Sequence, residues 1–127
     1  MRKSCRALVD YIFLHYSYVV EIGIGYVCDV GVALAEKGVK IFATDIKQVR
    51  HKDLFVVTDD ITRPDMTLYH GVDLLYSLRP PPELVFYMNL VARKISADLI
   101  VKPLSSECPE GQLVTMGNAY FYLWSYQ

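Results

Sequence analysis

Apolar residues along the chain alternate between two spacings, and the switches between them mark out the elements. Leu8, Tyr11, Ile12 and His15 recur on one helical face, which predicts an amphipathic helix over residues 3–16. Val19 to Ile22 then form a short apolar run, broken only by Glu21, that predicts a buried strand. Past Gly23-Ile24-Gly25, the residues Val27, Val30 and Leu34 return to helical spacing, and Gly38 suits the left-handed position that ends a helix. Two β-rich runs follow, "VKIFATD" from Val39 to Asp45 and "LFVVTDD" from Leu54 to Asp60, both ending in aspartate. A fourth strand is predicted from Asp73 to Leu78. After Pro80 to Pro82, Leu84, Tyr87, Met88, Val91 and Ile95 trace another helix, with Glu83 in its first turn and Arg93 and Lys94 in its last, where each complements the helix dipole. Ala97 to Leu104 reads as a fifth strand. The tail "QLVTMGNAYFYLWSY" has two β-rich arms around Met116-Gly117-Asn118, a hairpin signal.

Short apolar strands alternating with helices predict an α/β fold: a parallel sheet covered on both faces and closed by the antiparallel hairpin. No repeat, low-complexity tract or linker interrupts the 127 residues, so one domain over residues 1–127 is expected. The hydrophobic content of 53% is enough for a core at this length, where roughly two thirds of the unfolded chain's surface becomes buried. A formal net charge of -1, with Lys and Arg scattered, disfavours nucleic acid as a ligand. The apolar run over residues 7–20 is interrupted by Asp10 and His15 and is too short to span a bilayer, so a soluble, cytoplasmic protein is expected. Cys5, Cys28 and Cys108 form no C-x-x-C pair, and His15, His51 and His70 lack ligand spacing, so neither a disulfide framework nor a metal site is expected.

Ligands of open α/β sheets bind beyond the carboxyl ends of the strands, near the point where strand order reverses. That rule gathers Glu21, Gly23, Gly25, Asp45, Asp59, Asp60, Ser77, Arg79 and Lys102 at one edge and sends Asp73 and Asp98, which begin strands, to the other. Gly23 and Gly25 let the chain turn sharply and let a ligand approach the backbone, although plain tight turns use the same pair. Asp45, twenty residues beyond Gly25 and ending the next strand, adds a carboxylate able to accept from both hydroxyls of a ribose. Cys28 stands where a dinucleotide fingerprint has a third glycine or an alanine, and no P-loop occurs. A charged Glu21 would oppose a pyrophosphate and favour an ammonium group. S-adenosylmethionine carries an ammonium, a sulfonium and a ribose without any phosphate. Asp59 and Asp60 also fit a simpler use, since strand-end aspartates cap turns.

These residues carry a resemblance. "VVEIGIG" resembles motif I of the class I S-adenosylmethionine-dependent methyltransferases, apolar residues followed by an acid, x, Gly, x, Gly. The resemblance implies a three-layer Rossmann-like (methyltransferase-type) parallel sheet, with Glu21, Gly23 and Gly25 around the methionine portion and Asp45 on the ribose. "VVTDDI" is similar to the family's next element and implies Asp60 and Ile61 as adenine contacts, or Asp59 if the strand ends one residue earlier. "SLRPPPEL" departs from the Asn, Asp or Ser followed by Pro-Pro and an aromatic that amino-methylating members carry. Ser77 and Arg79 are the candidates for facing an acceptor. Pro80 predicts an extended Arg79 that presents its guanidinium to an anion, or else Arg79 pairs with Glu83. The whole chain, with "LLYSLRPPPEL" and its aromatic hairpin, resembles a small archaeal family of uncharacterised Rossmann-like proteins. The expectation is an S-adenosylmethionine-binding protein of methyltransferase type acting on an unknown acceptor, with no residue singled out as catalytic. The alternatives are a non-catalytic nucleotide-sensing or partner-binding module and, behind it, an NAD-binding one. "AYFYLWSY" reads either as an aromatic acceptor surface or as sheet core.

Overall fold

A computed structural model describes every residue except 2, 104–107, 109 and 118. The elements run α1 (Lys3–His15), β1 (Tyr18–Ile22), α2 (Asp29–Glu36), β2 (Lys40–Asp45), β3 (Val56–Thr58), a one-turn 3-10 helix (Met66–Tyr69), β4 (Leu74–Leu78), α3 (Pro82–Ile95), β5 (Asp98–Lys102), β6 (Gln112–Met116) and β7 (Ala119–Trp124). One seven-stranded sheet has the order β3-β2-β1-β4-β5-β7-β6. The first five strands are parallel, and β7 lies antiparallel between β5 and β6. The expected parallel sheet closed by a hairpin is thus the observed one.

Pleating sends alternate strand residues to opposite faces, and each face has its own core. On one side Leu8, Val9 and Ile12 of α1 and Val30 and Leu34 of α2 bury Val19, Leu74, Ile100 and Phe121. On the other, Met88, Val91 and Ala92 of α3 bury Val20, Ile22, Leu75 and Leu99. The hairpin aromatics divide between roles: Phe121 and Tyr122 are buried, whereas Tyr120 stays exposed. At the edge where the strands begin, Asp73 accepts from the backbone of Ser17 and Tyr18, and Asp98 accepts from the Tyr16 hydroxyl at 2.6 Å.

Several boundaries differ from expectation for identifiable reasons. Helix α2 begins at Asp29, so Val27 lies outside it and is exposed. Strand β3 is only three residues long; Leu54, expected to begin it, is instead in an isolated antiparallel bridge with His51 and packs on Ile24 and Ala43. The turn Met66–Tyr69 was not anticipated; Asp65 caps it by accepting from the backbone and hydroxyl of Thr67. Gly38 takes the left-handed conformation (φ 88°) past the end of α2, as its position predicts. Leu104, the expected end of the fifth strand, and Asn118, in the expected hairpin turn, lie outside the described residues. Among the described residues no helix is long and apolar enough to cross a membrane.

Candidate functional site

Strand order reverses between β1 and β4, and the helices that follow these strands cover opposite faces. The gap beyond their carboxyl ends is where such sheets hold ligands. The turn leaving β1 there is laid over the end of β2, since the Gly23 and Ile24 amides both donate to the Thr44 carbonyl at 2.9 and 3.1 Å. Gly23 (φ 71°) and Gly25 (φ 60°) are both left-handed, and a Cβ at either would meet nothing within 4 Å. Backbone conformation therefore demands glycine, and the space in front of both residues is open.

Asp45 fastens this turn. Its Oδ2 accepts from the Gly25 amide at 2.8 Å and its Oδ1 from the Lys47 amide at 2.9 Å. A carboxylate offers about four acceptor positions, so two amides leave capacity for hydroxyl donors. His51 contacts the Gly25 carbonyl through Nε2 at 2.8 Å, which requires the proton on that nitrogen. Tyr26, Val27 and Ile46 form an exposed apolar lip in the segments that flank Gly25 and Asp45.

Glu21 ends up differently. Its side chain is on the face covered by α1 and α2, is 2% exposed, and accepts a 2.5 Å hydrogen bond from Tyr76. The third residue of helix α2, Gly31, faces this group: a Cβ there would lie 2.7 Å from the terminal Leu54 Cδ2, which would have to shift, and in ordinary contact with Glu21 Oε1 at 3.5 Å. Burial pushes the Glu21 carboxyl up to about 8, against the opposing pull of the Tyr76 hydrogen bond. Glu21 is thus largely uncharged at neutral pH, which removes the expected repulsion of a pyrophosphate by this residue. A carboxylate at the helix N-terminus remains, namely exposed Asp29 in the first turn of α2.

The other candidates divide between local structure and the open crevice. Asp59 accepts from the Asp65 amide and the Tyr69 hydroxyl, which ties the end of β3 to the 3-10 turn. Asp60 accepts from the amide and hydroxyl of Thr62 through one oxygen, and those bonds hold its carboxyl below the ordinary range. Ile61 is buried in the core beneath α3. Ser77, expected to face an acceptor, is 1% exposed and donates to the Ile22 carbonyl at 2.8 Å, bridging β4 to β1. Arg79 is exposed, but its φ of 53° is left-handed rather than extended. Its amide donates to the Lys102 carbonyl, carrying the β4–β5 pairing one residue past Leu78 before the chain reverses toward α3. The expected partner Glu83 forms no ion pair with it among the described residues. Lys102 is half-buried and donates to the Tyr120 carbonyl at 2.9 Å; burial, with the Arg79 charge as a lesser cause, holds it below its ordinary value.

Four residues that shape the site were not singled out from the sequence: Gly31, Tyr76, Ile46 and His51. Gly31 left a signal, since a glycine inside a helical pattern implies a close approach. Tyr76 and His51 left none, because their partners are 55 and 26 positions away.

Solved structures share this architecture. The human methyltransferase 10 domain containing protein matches with a TM-score of 0.66 at 12% identity, over 100% of this chain and 84% of that one. An rRNA methylase from Streptococcus thermophilus matches with a TM-score of 0.60 at 11% identity, over 100% and 99%. A SAM dependent methyltransferase from Archaeoglobus fulgidus matches at 0.52 and 15% identity, over 79% of this chain but 53% of its own length. These likenesses show the methyltransferase fold. In sequence, a UPF0146 protein of Archaeoglobus fulgidus is 43% identical over 119 residues, 91% of each chain, and one of Methanocaldococcus jannaschii is 36% identical over 100 residues, 75% of this chain and 72% of its own. With the family model also matching residues 7–126, the chain belongs to the Uncharacterised protein family (UPF0146), the archaeal group that its sequence resembles.

Proposed function

We propose that the crevice beyond β1, β2 and β4 binds S-adenosylmethionine and that the protein is of methyltransferase type. The observation that carries this reading is the pair of left-handed glycines with open space at both Cβ positions, fastened by a strand-end carboxylate that retains acceptor capacity. In this reading Gly23 and Gly25 line the methionine portion and Asp45 accepts from the ribose hydroxyls. Ile46, exposed beside Asp45, offers an apolar surface to a flat base, and the family resemblance makes Asp60 and Ile61 the candidates for the adenine, although Ile61 is buried in the core. Glu21 acts from behind the turn, holding its position through Tyr76, rather than as a charged contact. Asp29, at the helix end where a pyrophosphate would gather, takes over from Glu21 as the reason to disfavour NAD.

The bound group would supply a methyl on a sulfonium. What this chain supplies is alignment, which can provide much of a transfer rate without a side-chain base. Arg79 is the acceptor-side candidate, suited to an anionic group by its exposed guanidinium without an ion pair to Glu83. Binding without transfer is the second reading, favoured by the buried hydroxyl of Ser77 and by the departure of "SLRPPPEL" from the family pattern. Parallel calorimetric titrations with S-adenosylmethionine, S-adenosylhomocysteine, NAD and ATP test the proposal. Saturable binding of the first two alone supports it; preference for NAD or ATP, or binding of none, overturns it.

A further inference from the structure

Between β3 and β4 the chain places only a one-turn helix, and among the described residues part of the sheet on the α3 side is left open beside β2 and β3. What remains is a groove of about 430 Å³ lined by Tyr18, Lys40, Phe42, Phe55, Val57 and Leu68. That volume lies within the roughly 300–1,000 Å³ of small-molecule sites, which are mostly apolar with a few polar anchors. Phe55 stands next to a strand yet is 71% exposed among the described residues. Lys40 is the single charged residue of the lining, its ammonium 4.0 Å over the Tyr18 ring and without a carboxylate partner among the described residues. The Thr67 hydroxyl, also in the lining, is already donated to Asp65. The groove is separate from the crevice. Lys40 begins β2 and Asp45 ends it, a separation of roughly 16 Å along a strand.

We infer that this groove binds a small monocarboxylate with an apolar body, the body lying on Tyr18, Phe42, Phe55 and Val57 and the carboxylate meeting Lys40. The polarity follows from Lys40, the single charged side chain of the lining. A neutral ligand of the same shape would gain the apolar contacts only.

Naphthylacetate and its neutral amide, naphthylacetamide, form a matched pair of probes. Each is titrated into the isotope-labelled full chain and followed by nitrogen–proton correlation spectra, with S-adenosylhomocysteine titrated separately. The acid should shift the amides around Tyr18, Lys40, Phe55 and Leu68 and bind about fivefold more tightly than the amide, the scale of one exposed charge contact. Lys40→Gln should abolish that preference, and Phe55→Ala should weaken both probes; both positions are exposed, so the fold should be retained. Equal affinity for acid and amide, or shifts confined to other surfaces, would overturn the inference. So would sedimentation showing a dimer that Phe55→Ala disperses, because the groove would then be an interface between copies. Unchanged S-adenosylhomocysteine affinity in both variants is expected, and failure of that ligand to bind wild type would bear on the crevice alone.

Discussion

Glu21 and Asp45 stand near the carboxyl ends of neighbouring strands, and the sheet treats them in opposite ways. Glu21 turns under α2, where Tyr76 hydrogen-bonds it and burial keeps it protonated. Asp45 stays half exposed and fastens the glycine turn through two backbone amides. The same contrast repeats at the end of β4, with Ser77 buried against the Ile22 carbonyl and Arg79 exposed two residues later. Inward-turned polar groups hold the strand ends in register; outward-turned ones are available to a ligand. A strand-end position is therefore insufficient to make a site residue, and the direction of the side chain decides.

The sharpest way to break this contrast is through pH. In the fold Glu21 keeps its proton up to about pH 8, whereas an ordinary glutamate releases it near 4.5. Between those values the native state holds the extra proton, so this group's contribution to stability falls as pH rises through the window and levels off above it. The loss is on the order of 5 kcal/mol at its largest. Glu21→Gln can still accept from Tyr76 but has no charge to bury, so most of the slope should vanish. Urea unfolding at about pH 5 and about pH 9 measures this, and an equally steep loss in the variant would contradict the buried-side account.

On the outward side, Asp45→Ala should weaken S-adenosylmethionine binding by about 1.5 to 3 kcal/mol, the worth of charged hydrogen bonds, or roughly tenfold to a hundredfold. Calorimetry on the folded variant gives the value, and unchanged affinity would remove Asp45 from the ribose. Ser77→Ala should instead cost about 1 kcal/mol of stability by stranding the Ile22 carbonyl, with affinity for the ligand unaltered; a binding defect at constant stability would return Ser77 to the crevice. The smallest effect is expected at Arg79. Its replacement by Ala should leave cofactor affinity within about threefold, or under roughly 0.7 kcal/mol. A tenfold weakening without unfolding would move Arg79 to the cofactor side.

The order of elements, the parallel sheet and the hairpin were legible because helical and strand periodicity is written in contiguous residues. Gly23 and Gly25 were legible for a related reason, since a sharp left-handed turn after a strand is met locally by glycine. Val27 was misplaced because three apolar residues at helical spacing do not say which turn comes first, and α2 starts only at Asp29. Arg79 was expected to be extended from its proline neighbour alone, yet its amide pairs with Lys102 on β5 and the reversal into α3 sets its backbone.

The sequence by itself determined the chain of strands and helices, the glycine turn after β1, and which polar residues arrive at the carboxyl edge of the sheet. Only the tertiary structure decided which of those residues are buried and which stay open. In a sheet covered on both faces, alternation sends a side chain to one face or the other but does not reveal what waits there. For Glu21 it is Tyr76, 55 positions along the chain, and helix α2 at Gly31; for Asp45 it is the open side of a turn. Burial and charge at each strand end follow from contacts that form only when distant segments pack together.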